Sequence, residues 1–419
     1  MGIPYDDVVI IKKSEKLGDP TMITVNCPDK TGLGCDLCRI ILFFGLNIVK
    51  GDFSTDGKWC YIVFWVVEKS RRTRWNSLKK TLQHLQQRLL GACPSCYSTS
   101  GIYYYKNELQ QPKPPQVFLL KFCCTDRRGL LHDVTEVLCE VELIIWSVKV
   151  STTPDDKVMD LFFITDTREL LQTKLRQEDV YDHLRYVLGD ALISCEIELS
   201  GFEVLTCSQG SILPPAITEE MFGLEQSNHP PSKYPTSNKV SVTVDNSLSP
   251  AHTLIQVLCI DHKGLLYDMM RTLKDYNMKI SYGRFSIKHE QNCELDLFVV
   301  QADGKKIVDL NKQNALCSRL RMELLHPLQV AVVSRGPDTE LLVVNLVELS
   351  GSGRPLVFYD ITLALKMLKI CIFSADIGRH MIGDKECEVY RILLDEGNGF
   401  SMSWKKIECE VRKMLMGWE

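Results

Sequence analysis

At 419 residues the chain is longer than one ordinary core organises, and its length points to about three domains. A composition of 45% hydrophobic and 24% charged residues excludes wholesale disorder. A net charge of -4 excludes any overall electrostatic attraction to nucleic acid or an anionic membrane, so neither is expected as a partner. The apolar run Ile40 to Val49 is too short to span a bilayer. Met1-Gly2-Ile3-Pro4-Tyr5-Asp6-Asp7 reads as neither a secretory signal nor a transit peptide. The 17 cysteines are scattered in apolar surroundings, which fits buried thiols in a reducing compartment, cytoplasm or nucleus.

In chain order, the first patterned stretch is Asp29-Lys30-Thr31-Gly32-Leu33, followed by Asp36. The same device returns as Asp126-Arg127-Arg128-Gly129-Leu130 with Asp133, and as Asp261-His262-Lys263-Gly264-Leu265 with Asp268. A fourth, broken version runs from Ser350 to Asp360, with five extra residues and Leu356 in the glycine position. Positions one, five and eight after the helix aspartate are apolar or aromatic in every copy: Leu37, Ile41, Phe44; Val134, Leu138, Val141; Met269, Leu273, Tyr276; Ile361, Leu365, Leu368. That spacing is one buried helix stripe.

After the first helix each copy shows two strand-like runs: 48–54 and 59–67, 144–152 and 158–164, 280–287 and 294–300, 370–377 and 387–394. Asp56-Gly57 marks the first hairpin. A second helix follows at 76–90, 178–188, 310–325 and 403–416. Closing strands are expected at 97–105, 193–199 and 328–333, with extra leading strands at 8–11 and 240–244. The class is therefore α+β: four tandem ferredoxin-like βαββαβ units, antiparallel sheets with helices on one face, the last divergent and lacking its closing strand. The expected organisation is copy one at 1–109, copy two at 116–201, a Pro- and Ser-rich linker at 202–238, copy three at 239–335 and copy four at 340–419. The linker's place suggests two units of two copies each.

Val242 to Ser247 and Asp261 to Asp268 resemble the ACT domain, in particular the tandem ACT domains of the bacterial glutamine-sensing uridylyltransferase. The whole chain is similar to the plant ACT domain repeat proteins, and Ser350 to Pro355 with Phe358-Tyr359-Asp360 is similar to their divergent last copy. The resemblance covers nearly everything but the linker. It implies a ferredoxin-like fold and a regulatory, non-enzymatic protein that binds amino acids at interfaces between copies. A regulated enzyme or a second copy of the chain would be its further partner.

By that resemblance the ligand-binding residues are Asp29, Gly32 and Leu33, Asp126, Gly129 and Leu130, and Asp261, Gly264 and Leu265. The physics agrees, because amide groups at a helix N-terminus attract a carboxylate. In the plainer reading the glycines only permit the turn and the loop aspartates cap the helix. Copy four carries no binding expectation. A structural adaptor with degenerate pockets is the alternative, and a soft-metal or thiol site at Cys35 and Cys38 a weaker one, because the other copies have no cysteine at those positions. No metal and no cofactor is expected. No catalytic motif appears: no Gly-x-Ser-x-Gly, no His-Glu-x-x-His and no phosphate-binding loop.

Overall fold

The computed structural model describes residues 8–14, 18–68, 78–94, 98–99, 102–103, 116–153, 157–200, 240–288, 292–336, 338–348, 351, 353–382, 385–395 and 403–417. The expected linker lies outside them.

Copy one runs β1 (Val9–Lys12), β2 (Thr21–Pro28), α1 (Leu33–Phe43), β3 (Leu46–Thr55), β4 (Trp59–Glu68) and α2 (Leu78–Ala92), followed by a separate two-stranded ladder, β5 (Ser98–Thr99) with β6 (Ile102–Tyr103). Copy two runs β7 (Val117–Thr125), α3 (Leu130–Glu140), β8 (Leu143–Thr152), β9 (Lys157–Asp166), α4 (Lys174–Leu188) and β10 (Leu192–Ser200). Copy three runs β11 (Ser241–Asp245), β12 (Thr253–Ile260), α5 (Leu265–Asp275), β13 (Lys279–Ile287), β14 (Asn292–Val300) and α6 (Leu310–Leu325). Copy four runs β15 (Leu328–Arg335), β16 (Asp338–Leu346), α7 (Val357–Met367), β17 (Cys371–Ile382), β18 (Lys385–Asp395) and α8 (Trp404–Met416).

The helix stripes form the core as their spacing requires. Leu37, Ile41, Val134, Leu138, Met269, Leu273, Ile361 and Leu365 are all buried. The stripe thins at its far end, where Tyr276 is 37% exposed. Each first helix is short, 11 residues, so its stability comes from this packed face more than from intrinsic propensity.

Two findings correct the sequence reading. First, Leu328–Val333, expected to close copy three, belongs to β15, which pairs along its whole length with β16 and leads copy four. Copies one, three and four all take their fourth strand from the front, as β1, β11 and β15; only β10 of copy two closes from behind, against β7. The edge slot beside the first strand is filled either way, so the sheet is the same while the chain order differs. Of the closing strand expected at 97–105, the described residues form the β5–β6 ladder instead.

Second, the pairing of copies does not follow the linker. The chain divides into two compact units, Met1–Leu109 with Pro231–Pro327 and Met416–Glu419, and Gln110–Pro230 with Leu328–Leu415. In the first, copies one and three share a sheet of order β1-β2-β4-β3-β13-β14-β12-β11. In the second, copies two and four share β10-β7-β9-β8-β17-β18-β16-β15. Each pair is joined by the strands that follow its first helices, running antiparallel, β3 with β13 and β8 with β17. This covers one edge of each copy, which would otherwise offer unpaired backbone groups. In the first unit the helices touch in the order α2–α1–α5–α6, and one continuous core passes under the seam.

All four seam strands carry a β-bulge at the same place, between Ile48 and Lys50, Ile145 and Ser147, Ile280 and Tyr282, and Ile372 and Ser374. A bulge bends a strand and raises its twist, which sets the angle at which the two copies join. Small residues face large ones across the seam: Gly51 opposite Phe285 and Gly283 opposite Phe53 in the first unit, Ala375 opposite Val150 in the second. A Cβ at Gly283 would lie 2.3 Å from Leu297 Cδ2. Copy two has Val148 where copy one has Gly51, so it does not offer that gap to Phe285.

Candidate functional site

Each signature loop turns a strand into a helix by one geometry. Leu33 N–H donates to Lys30 O at 3.0 Å, Leu130 N–H to Arg127 O at 3.1 Å and Leu265 N–H to His262 O at 3.1 Å. The next residue back takes the left-handed conformation: Gly32 at φ 82°, Gly129 at 77° and Gly264 at 81°. Leu356 takes it too, at φ 68°, which confirms its equivalence and places strain on a side chain that usually avoids this region. The carbonyl of this residue then accepts the N–H of Asp36, Asp133, Asp268 and Asp360 respectively.

The N-cap position of each helix is held by the glycine, which has no side chain to cap with. Asp29 accepts a hydrogen bond from Thr55 Oγ1 at 3.0 Å, which ties the loop to β3. Leu33, Leu130 and Leu265 are buried and anchor each helix start in the core.

The helix aspartates do more than face a dipole. Asp36 receives Lys30 Nζ at 2.9 Å and Lys274 Nζ, from α5 of the paired copy, at 2.8 Å. Asp133 receives Arg127 Nη2 at 2.5 Å and Lys366 Nζ, from α7 of its paired copy, at 2.6 Å. Burial opposes ionisation of Asp36, but the charges of Lys30 and Lys274 hold its carboxyl below the usual carboxylate range. The stems of the two partner lysines lie on the signature glycines. A Cβ at Gly32 would meet Lys274 Cδ at 2.8 Å, and one at Gly129 would meet Lys366 Cγ at 2.9 Å. These glycines are therefore required twice, by conformation and by close approach. The positions equivalent to Lys274 and Lys366 are Leu42 and Cys139 in copies one and two, so the clasp needs one copy from each half of the chain.

Two clefts lie along the seams. One, of about 20 Å³, is lined by Asp261, Gly264 and Leu265 of copy three and by Cys38, Asn47 and Ile48 of copy one. The other, of about 30 Å³, is lined by Asp126, Gly129, His132 and Asp160 of copy two and by Thr362 and Lys366 of copy four. Those volumes hold about one and two water molecules. Six of the nine expected residues line these two clefts, while Gly32 lies under the stem of Lys274, Asp29 is bonded to Thr55 and Leu33 is buried in the core. The second seam is the more polar. His132 Nδ1 lies 3.3 Å from Thr362 Oγ1, which is 3.0 Å from Thr135 Oγ1, and the His132 ring packs tilted against Tyr359 with centroids 4.9 Å apart.

Asp160 was missed from the sequence. It is 1% exposed, and neither carboxylate oxygen has a hydrogen-bond partner among the described protein atoms. Burial, and then the charge of Asp126, pushes its carboxyl well above the usual range. The signal was present: Val158, Asp160, Phe162 and Ile164 alternate along β9 and all point inward, which puts a carboxylate on an apolar strand face.

Cys35 and Cys38 are buried in the core, and burial holds the Cys38 thiol far above the range in which it would ionise to bind a soft ion. Among the described residues no group of three His, Cys, Asp or Glu side chains is placed to hold a metal. No described helix is long and apolar enough to cross a membrane.

The comparisons with known proteins fall on this arrangement. The chain is 60% identical over 422 residues to ACT domain-containing protein ACR10 of Arabidopsis thaliana, covering 100% of both chains. It belongs to the plant ACT domain repeat family. ACT domain-containing protein ACR9 of the same plant is 54% identical over 424 residues, again with 100% of both covered. Three family descriptions match in succession: ACR10 N-terminal at 11–94, ACR9-like ACT-like domain at 241–338 and ACR9 C-terminal at 339–417. The bifunctional uridylyltransferase/uridylyl-removing enzyme of Azospirillum brasilense is 36% identical over 87 residues, which covers 21% of this chain and 9% of that one.

Proposed function

We propose that this ACT repeat protein is a non-enzymatic regulator that binds free amino acids at the seams between paired copies, copy one with three and copy two with four. One observation carries the reading. The signature loops of copies two and three each open on a cleft whose other wall is the paired copy. There the first turn of α3 or α5 offers backbone amides to a carboxylate, and loop aspartates offer acceptors to an amino group.

The clefts are small as they stand, so a ligand enters by parting the seam. Lys366 is the movable element on the copy-two side, since its stem covers Gly129 and its ammonium is held by side-chain contact with Asp133. A ligand that prefers the parted state shifts the protein toward it, and that differential affinity is what a regulator transmits.

The test is calorimetric titration of the full chain with a panel of free amino acids. Binding of at least one is expected, weakened by Gly129→Val and by Gly264→Val. Gly57→Val serves as the control, because Gly57 also has positive φ (85°) but has open space around its Cβ position. If no amino acid binds the wild-type chain at millimolar concentration, the reading fails.

A further inference from the structure

The four copies can be superposed residue by residue on the seam strands. Val150, Phe53, Phe285 and Ile377 each lie seventeen residues after their helix aspartate. Their neighbours on the next strand are, in the same order, Asp160, Ile62, Leu295 and Tyr390. Three copies thus fill this buried position with a large apolar or aromatic side chain. Copy two alone fills it with a carboxylate.

A carboxylate buried without a partner costs several times what a neutral polar group costs, so a fold with apolar alternatives at hand does not keep one cheaply. Among the described residues lining the cleft, the lysine and arginine side chains are already engaged, and His132 is the remaining titratable base. Arg127 and Lys366, the two cationic side chains lining the cleft, are both within 2.6 Å of Asp133. The other carboxylate facing the cleft, Asp126, adds negative charge. What would complete the site is a compact positive group with several hydrogen-bond donors, of a size that fits about 30 Å³.

We propose that Asp160 makes the copy-two/copy-four cleft a receptor for an ammonium group, with its carboxylate accepting that group's hydrogen bonds inside the cleft. This deepens the seam-binding reading and rests on it. It also divides the two seams by chemistry. The copy-one/copy-three cleft has Ile62 and Leu295 at the corresponding positions and does not select for an amino group in this way. The ammonium group has two sources, the amino end of a free amino acid or the ammonium ion itself.

The experiment is titration of the full chain with amino acids, with their des-amino carboxylic acids, with ammonium chloride and with potassium chloride, for wild type, Asp160→Leu and Asp160→Asn. Leucine is the residue copy three carries at this place, so that variant has a precedent for packing, and asparagine is a near-isosteric check. The expected result is binding of an amine-bearing ligand that falls at least about tenfold in both variants and in the des-amino analogue, as losing one side of a buried charged pair requires. Binding of ammonium chloride but of no amino acid supports the ammonium receptor and overturns the amino-acid reading. Amino-acid binding that is unchanged in both variants overturns the role of Asp160 and leaves the seam-binding reading standing. Potassium binding as tightly as ammonium, or no binding of any amine or ammonium ion to wild type, overturns the proposal.

Discussion

Lys274 reaches across the seam of the first unit to Asp36 at 2.8 Å while its aliphatic stem lies on Gly32. One side chain therefore closes the signature loop of another copy by charge and by contact. Lys274→Met keeps most of the stem and removes the charge. It is expected to lower the unfolding free energy by about 0.5–1 kcal/mol at neutral pH, the worth of a partly exposed ion pair. The sign of its pH dependence follows from Asp36. The folded carboxyl sits below its unfolded value, so its stabilisation is complete above about pH 4 and is lost as pH falls through the depressed value. The gap between wild type and Lys274→Met in urea unfolding should therefore close in acid.

Arg271 of α5 is 1% exposed and pairs with Glu323 of α6, which also receives Arg319 Nη2 at 2.5 Å; Asp268 lies 4.0 Å from Arg271. Arg271→Met leaves two buried carboxylates short of a cation and is expected to cost about 3–5 kcal/mol, far more than the seam lysine. Adding Glu323→Leu should recover part of that loss, because the variant pair no longer buries the second charge. Denaturant unfolding of the single and double variants gives the answer. Equal stability of the single variant and wild type would show that Arg319 alone satisfies Glu323.

The legible parts of this protein were those written locally. The helix stripe through Leu37 and Ile41, and the turn at Gly32, repeat at fixed spacing, and α1, α3, α5 and α7 form where they predict. The partner of a strand is not written locally. Leu328–Val333 has the same alternation whether it closes copy three or opens copy four, and only pairing with β16 decides. The joining of copy one to copy three rests on Gly51 facing Phe285 and on Lys274 facing Asp36, contacts over more than two hundred residues that no single window shows. Asp160 is a different case. Comparing copies by their shared motif hides a departure that lies outside the motif, on the strand after it.

That departure sets the last prediction. Asp160 keeps its proton in the folded chain over a range where the unfolded chain has lost it, because its folded value is raised. Folding stability then falls as pH rises from the unfolded value near 4 up to the folded value. Asp160→Leu removes that penalty, so the variant should be the more stable one in the absence of ligand. Its advantage should widen with pH over that window, by at most about 1.4 kcal/mol per pH unit. The groups lining the same cleft, Asp126, Arg127, His132 and Lys366, are common to both proteins, so the difference between the two unfolding curves isolates residue 160. Urea unfolding of wild type and variant at a series of pH values measures it. An advantage that shrinks as pH rises would mean that Asp160 is ionised in the folded chain and held by a cation of the protein itself.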